Sequence, residues 1–341
     1  MQMRAIGYGS LGDADVLQLL DLPVRDPGPG EVRVRIAVSG VNPTDWKSRS
    51  NAPKQPIPKG RYQVPHLDGA GVVDAVGEDV DTVLVGDRVW VWLVAYLRLE
   101  GTAQEFAIVP TTLVQPLPDS ASFELGASLG VPFITAHRAL TLHEHGPSRL
   151  SRGALTGTSI LVAGGAGAVG NAAIQLGKWA GAEVITTVSS PQKRGLAQAA
   201  GADHVIDYTS QDVVAEVRHI CPDGVSTVVE VSPAVNCDID NAVSATHGVV
   251  AVYGNDRGDR MTLPVRSLMT LNINWRFMLL YTMPDQAHQD AVESIGSALT
   301  QGAIGVGSDV GLPLHHFPLE QAADAHRAVE GGAIGKVLLS L

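Results

Sequence analysis

Between residues 160 and 176 an apolar run, Ile160-Leu161-Val162-Ala163, meets a glycine-rich turn, Gly164-Gly165-Ala166-Gly167-Ala168-Val169-Gly170, which opens into Asn171-Ala172-Ala173-Ile174-Gln175-Leu176. The useful spacing is Gly164-x-x-Gly167-x-x-Gly170. Its first glycine permits a tight turn, its second lets a pyrophosphate approach the backbone, and its third allows close packing of helix on strand. The helix start at Ala168, Val169 and Gly170 adds free N–H groups and the positive end of the helix dipole. Strand-like runs at Ser159–Ala163, Glu183–Val188, 204–206, 226–231 and 249–253 alternate with helix-like ones. Such alternation predicts a parallel sheet with crossover helices, and in that setting the glycines predict a dinucleotide site rather than an ordinary turn. Ser190, Pro191 and Gly201 punctuate the helix after the second run as N-cap, first residue and terminator. A further helix opens near Ser210 and carries Val213, Val214 and Val217 on one face.

The end of the second strand selects the dinucleotide. An NAD site places Asp or Glu about 20 residues after the glycines, against the ribose 2′-hydroxyl. Here that segment is Thr186-Thr187-Val188-Ser189-Ser190, and Glu183 lies at the wrong end of the strand. Lys193 and Arg194 follow, and a cation with a hydroxyl can bind a 2′-phosphate. The expected cofactor is NADPH.

The first third has a different texture. In Glu31-Val32-Arg33-Val34-Arg35-Ile36-Ala37-Val38, apolar side chains alternate with arginines, as in a half-buried strand. Further strands are expected at 70–76, 87–93 and 105–109, with almost no helical pattern before Ser122. That reads as an open barrel or sandwich-like β domain. A length of 341 residues allows about two domains. Lys+Arg 24 against Asp+Glu 35 leaves a net charge of −11 without a basic run, which argues against nucleic-acid binding. Cys221 and Cys237 alone make neither a disulfide framework nor a four-cysteine zinc lobe. No apolar stretch is long enough to span a membrane, and Met1-Gln2-Met3-Arg4-Ala5 lacks a signal-peptide core, so a cytoplasmic protein is expected.

Several segments resemble, in order and over nearly the whole chain, the zinc-free quinone oxidoreductases of the medium-chain dehydrogenase/reductase superfamily, the zeta-crystallin type. They are Val41-Asn42-Pro43-Thr44-Asp45, Pro65-His66-Leu67-Asp68-Gly69-Ala70-Gly71, Gly86-Asp87-Arg88-Val89, Gly101-Thr102-Ala103-Gln104-Glu105, the glycine turn, Gly201-Ala202-Asp203-His204-Val205-Ile206-Asp207-Tyr208 and Gly335-Lys336-Val337. The resemblance implies an α/β fold, a Rossmann-type doubly wound parallel sheet plus a GroES-like mostly β domain, with the active site in the cleft between them. It assigns 1–128, completed by 285–341, to the GroES-like substrate domain and 129–284 to the dinucleotide-binding domain. It implies that Lys193 and Tyr208 contact the 2′-phosphate with Ser189 close by. Gly254 and Asn255 would run past the nicotinamide, and Lys336 is carried over as a further cofactor-binding position. Asn42 and Asp45 would lie on the cleft floor, although Asp45 reads equally as a carboxylate capping its own turn. The family is commonly homodimeric or tetrameric through its Rossmann sheet edges. Segment 271–281 is the candidate edge, the alternative being a buried interior strand.

Asn42 and Leu67 stand where zinc-dependent relatives carry a catalytic cysteine and histidine, with His66 one residue early. Three protein ligands cannot be assembled, and His143, His145, His315 and His316 read as surface histidines, so no metal is expected. Without a Lewis acid, reduction of an already electrophilic conjugated carbonyl is the easier chemistry, and the expected acceptor is a quinone or enone. Lys47 replaces a tyrosine found shortly after the Asn-Pro motif in several such reductases; it either donates a hydrogen bond to a reduced oxygen or projects into solvent. Trp46 walls the pocket or belongs to the core, and segment 50–62 departs from the family and is expected as a loop over the cleft. Two other functions fit the residues: an NADPH-dependent enoyl or alkenal reductase acting on a carbon–carbon double bond, and a non-catalytic NADPH sensor.

Overall fold

Strands form where the sequence alternates or runs apolar between turn residues. In the computed structural model, which describes residues 1–341 apart from Ala52 and Lys54, the chain divides into a first unit, Met1–Val131 with Pro313–Leu341, and a second, Pro132–Leu312. The strands are β1 (Gln2–Gly7), β2 (Gln18–Pro23), β3 (Glu31–Val41), β4 (Asp68–Val76), β5 (Arg88–Val91), β6 (Phe106–Pro110), β7 (Val114–Pro116), β8 (Ser159–Ala163), β9 (Glu183–Val188), β10 (His204–Asp207), β11 (Val225–Glu230), β12 (Ser244–Val252), β13 (Asn274–Phe277), β14 (Leu314–Pro318) and β15 (Lys336–Ser340). The helices are α1 (Pro43–Ser50), α2 (Phe123–Leu140), α3 (Ala168–Trp179), α4 (Pro191–Ala199), α5 (Val213–Ile220), α6 (Pro233–Val243), α7 (Val265–Leu271), α8 (Asp285–Thr300) and α9 (Ala322–Glu330).

The first unit is built on a mostly antiparallel sheet in the order β14-β15-β3-β4-β5-β7, with β6 also paired to β3, and a separate β1–β2 hairpin. Alternation along β3 turns Val32, Val34 and Ile36 into a core with Val73, Val89 and Val109. Each contributes roughly 2 kcal/mol by leaving water. Arg33, on the other face, pairs with Asp74.

The sequence reading placed almost no helix before Ser122, yet α1 forms at Pro43–Ser50. Pro43 opens it and the Asp45 carboxylate accepts the Asn42 N–H at 2.7 Å, so the start signals are present. The segment lacks an apolar stripe, which leaves periodicity nothing to register. Of the expected loop 50–62, Ala52 and Lys54 lie outside the described residues.

The second unit holds a parallel sheet in the order β10-β9-β8-β11-β12-β13. Sequence order reverses between β8 and β11, the switch point where doubly wound sheets bind ligands. Ser190 accepts the Lys193 N–H at 3.3 Å to cap α4, and Gly201 ends that helix with φ +100°. α5 begins at Val213 rather than near Ser210, because Asp212 accepts the Ala215 N–H at 3.1 Å and so caps it. Residues 285–312, placed above with the first domain, belong to the second unit. There Asp290 of α8 pairs with Arg149, and Ser294 bonds His137 and the Leu150 N–H. Segment 271–281 supplies β13 at the sheet edge, with Phe277 and Leu279 exposed.

Candidate functional site

The carboxyl edge of the second sheet gathers most of the expected cofactor residues. Gly164 leaves β8 with φ +71°, and its N–H and that of Gly165 lie against Thr187 at the end of β9. A Cβ on Gly170 would sit 2.4 Å from the Gly164 carbonyl oxygen, so the turn and α3 fit together only with glycine there. Gly167 is the N-cap of α3 and makes no side-chain cap bond, and the amides of Ala168, Val169 and Gly170 form the first turn, where no preceding carbonyl can satisfy them. At the end of β9, the Lys193 ammonium donates to Ser189 Oγ at 3.0 Å. Tyr208, 40% exposed, is held beside them by its N–H bond to the Val188 carbonyl at 3.1 Å.

Arg194 points elsewhere, to the Val205 carbonyl and to Gln211. Asp207, next to Tyr208 in sequence, ends β10. It accepts both the Thr209 hydroxyl and N–H, which hold its pKa below the ordinary value. Gly254 and Asn255 follow β12, where the Tyr253 N–H binds the Glu230 carbonyl and Asn255 binds Asp259. The residues expected to hold an adenosine phosphate, a pyrophosphate and a nicotinamide therefore share one sheet edge, with Lys336 the exception.

Lys336 lies in the first unit, with the residues expected on the cleft floor. It is 2% exposed, and its ammonium donates to Asn42 Oδ1 at 2.6 Å and to the Val41 carbonyl at 3.2 Å. The other side of the same amide donates to Asp68 Oδ2 at 2.7 Å, an oxygen that also accepts the Val131 N–H. Asn42 thus bridges a buried cation and a buried anion. Burial pushes the Asp68 carboxyl up and the Lys336 ammonium down, and each group's charge opposes the other's shift. Asp68 falls within the Pro65–Gly71 segment, and the resemblance assigns it no role. A carboxylate wedged between Leu67 and Gly69 at the start of an apolar strand was the available signal.

Asp45 caps α1 and also lines a small cleft with Tyr8, Thr44, Ser48, Gln63 and Leu67. The cleft has a volume of about 30 Å³, room for about one water. Tyr8 was not foreseen; burial, and then the Asp45 charge, raise its pKa, so the phenol remains a donor. Lys47 is half-buried and stays outside this cleft, its ammonium 5.8 Å from the centre of the Trp46 ring.

Two family models match the chain: the alcohol dehydrogenase GroES-like domain over residues 28–119 and the zinc-binding dehydrogenase domain over 168–297. The quinone oxidoreductase of Lama guanicoe is 30% identical over 99% of this chain and 98% of its own. The synaptic vesicle membrane protein VAT-1 homolog of Rattus norvegicus is 31% identical over 99% of this chain and 84% of its own. Among solved structures, an NAD-dependent alcohol dehydrogenase superposes with a TM-score of 0.85 at 29% identity, covering 99% of this chain and 100% of that one. A mycobacterial protein complexed with NADPH superposes with 0.80 at 27%, with the same coverage. No helix among the described residues is long and apolar enough to cross a membrane. With full-length matches to curated quinone oxidoreductases and both domain models in order, the chain belongs to the quinone oxidoreductase family of the medium-chain dehydrogenases/reductases.

Proposed function

We propose that this oxidoreductase uses NADPH to reduce a quinone or a similar conjugated carbonyl, without zinc. The observation that carries the cofactor choice is the Lys193–Ser189 pair at the end of β9, beside Tyr208, where an NAD site would place a carboxylate. The NADPH-bound mycobacterial relative supports the same choice. When bound, the dinucleotide supplies the hydride. Gly164–Gly170 and the first turn of α3 would hold its pyrophosphate, and Ser189, Lys193 and Tyr208 its 2′-phosphate.

The zinc implied by the name of one matching domain does not fit the donors present. The Asn42 amide is engaged on both sides, Leu67 is apolar, and His66 is bound to Ser39 and His326. Both cysteines lie in the second unit. Among the described residues, no group of three or more His, Cys, Asp or Glu could hold a metal ion. With no Lewis acid, this reading leaves the chain to position the acceptor and to supply hydrogen bonds. The second reading is reduction of a carbon–carbon double bond, which needs a proton at the α carbon. A second copy of the chain is the proposed partner at the exposed β13 edge, where Phe277, Leu279, Val265 and Met269 face solvent.

Parallel titrations with NADPH and NADH test the cofactor. NADPH should bind at least about tenfold more tightly, and Lys193→Ala should remove that preference. Steady-state NADPH oxidation with 1,4-benzoquinone and 1,4-naphthoquinone tests the acceptor. Equal affinity for the two nucleotides would refute the phosphate site, and an enone reduced much faster than every quinone would favour the second reading.

A further inference from the structure

The carboxyl edge of the second sheet also carries a pair of buried acids. Glu230 ends β11 and is fully buried; Asp240, on α6, is 1% exposed. The Glu230 carboxylate accepts the Ser232 N–H, and the Asn236 amide donates to both of its oxygens at 3.1 and 3.2 Å. Asp240 meets Glu230 side chain to side chain, and its Oδ2 has no other partner. The main chain of this strand end carries a second set of bonds. The Glu230 carbonyl accepts the Tyr253 N–H at 3.0 Å and the Val231 carbonyl accepts the Asp256 N–H at 3.1 Å. The acids therefore sit beneath two turns, 231–236 and 253–256.

Strand order says what those turns face, given the NADPH reading on which this inference rests. The 2′-phosphate residues stand at the ends of β9 and β10, and the pyrophosphate turn follows β8. All strands are parallel, so an extended dinucleotide that runs from β9 across β8 next crosses the ends of β11 and β12. We propose that Glu230 and Asp240 are positioning residues for the nicotinamide end of the cofactor, fixing the two turns against which the reactive ring lies.

The chemistry requires one shared proton. Asp240 as the carboxylic acid donates its O–H to Glu230, whose other acceptor positions take Ser232 and Asn236. The titratable group that faces the pair is Tyr253, whose phenol the Glu230 charge helps to keep protonated. Burial raises the pKa of both acids, and the Glu230 charge raises that of Asp240 further, so Asp240 is the one that holds the shared proton. Loss of that proton would place two carboxylates side by side and push α6 away from the strand end.

The test compares two ligands of the intact protein, NADPH and 2′,5′-ADP, which carries only the adenosine-phosphate end. Glu230→Gln puts an amide N–H among donors, and should weaken NADPH about tenfold while 2′,5′-ADP stays within about twofold. In the parent, NADPH affinity should fall relative to 2′,5′-ADP as pH rises above neutral and the shared proton is lost, the second ligand subtracting any change at the phosphate end. Asp240→Asn keeps a neutral donor of the same shape, and should bind NADPH like the parent at pH 7 and lose the alkaline fall. Should Glu230→Gln fail to fold, the pH profiles of the parent and of Asp240→Asn decide alone. Equal weakening of both ligands, no weakening of either, or superimposable pH profiles would overturn the positioning role. A parent that binds neither ligand would overturn the NADPH reading, and this inference with it.

Discussion

Acid should destabilise the first unit through a histidine that cannot accept a proton where it is. His326 and His66 are buried with their Nε2 atoms 2.9 Å apart, and His66 Nδ1 lies 2.8 Å from Ser39 Oγ. Ser39 is 2.7 Å from Thr102 Oγ1, whose proton goes to the Asp68 carbonyl at 2.6 Å. Because Thr102 has one proton and spends it on that carbonyl, Ser39 donates to Thr102 and His66 Nδ1–H donates to Ser39. His66 Nε2 is then the acceptor and His326 Nε2–H the donor, which leaves His326 Nδ1 as the buried atom without a partner. Both rings are neutral.

Burial, and then the Arg49 charge, lower the His326 pKa from 6.5 to about 3. Since the folded pKa is depressed, the unfolded chain binds the extra proton first. The stabilisation from a neutral His326 is complete above pH 6.5 and is lost as pH falls toward 3. At pH 5 the medium is about 1.5 pH units below the unfolded value, which at 1.36 kcal/mol per unit costs about 2 kcal/mol. Urea unfolding followed by tryptophan fluorescence at pH 7 and pH 5, for the parent and for His326→Gln, isolates this contribution. The variant should be less stable than the parent at pH 7 and should close the gap by about 2 kcal/mol at pH 5. A gap that stays the same at both pH values would refute the reasoning.

Gly170→Val places a side chain against the Gly164 carbonyl, and should abolish measurable dinucleotide binding in titration while lowering stability by about 1–3 kcal/mol. Asn42→Ala leaves the Lys336 ammonium and the Asp68 carboxylate buried without their bridge, and should cost about 3 kcal/mol in denaturant unfolding. Phe277→Asp puts a charge on the exposed β13 edge, and a smaller species should appear by size-exclusion chromatography with light scattering if two copies meet there.

The second unit was the more legible in the sequence, and the reason is local. β8 and β9 begin and end where their apolar runs do, and Ser190, Pro191 and Gly201 act within a few residues of themselves. The first unit depends on contacts between residues far apart in the chain. Asn42 could be singled out, but its partners Asp68 and Lys336 lie 26 and 294 residues away, and no local pattern connects them. His66 shows the same limit: nothing beside it in sequence announces His326. Tyr8 escaped notice because a lone tyrosine just past β1 has no neighbouring residue in sequence that marks it; its link to Asp45 comes from 37 positions along the chain. Arg194 was misread for the opposite reason, since its adjacency to Lys193 suggested a shared role that the helix directs elsewhere.

The first unit is written in two pieces, and synthesis must respect that. β15 lies between β14 and β3 in the finished sheet, yet it is encoded by Lys336–Ser340, after the whole of the second unit. Until residue 336 leaves the ribosome, β3 has an open edge, Asn42 has no cation opposite Asp68, and His66 has only just met His326. The second unit, continuous in sequence, can close while the first waits. A chain cut short between the second unit and β15 would therefore carry a finished parallel sheet and an unfinished first-unit sheet, its unpaired strand open to association with other chains.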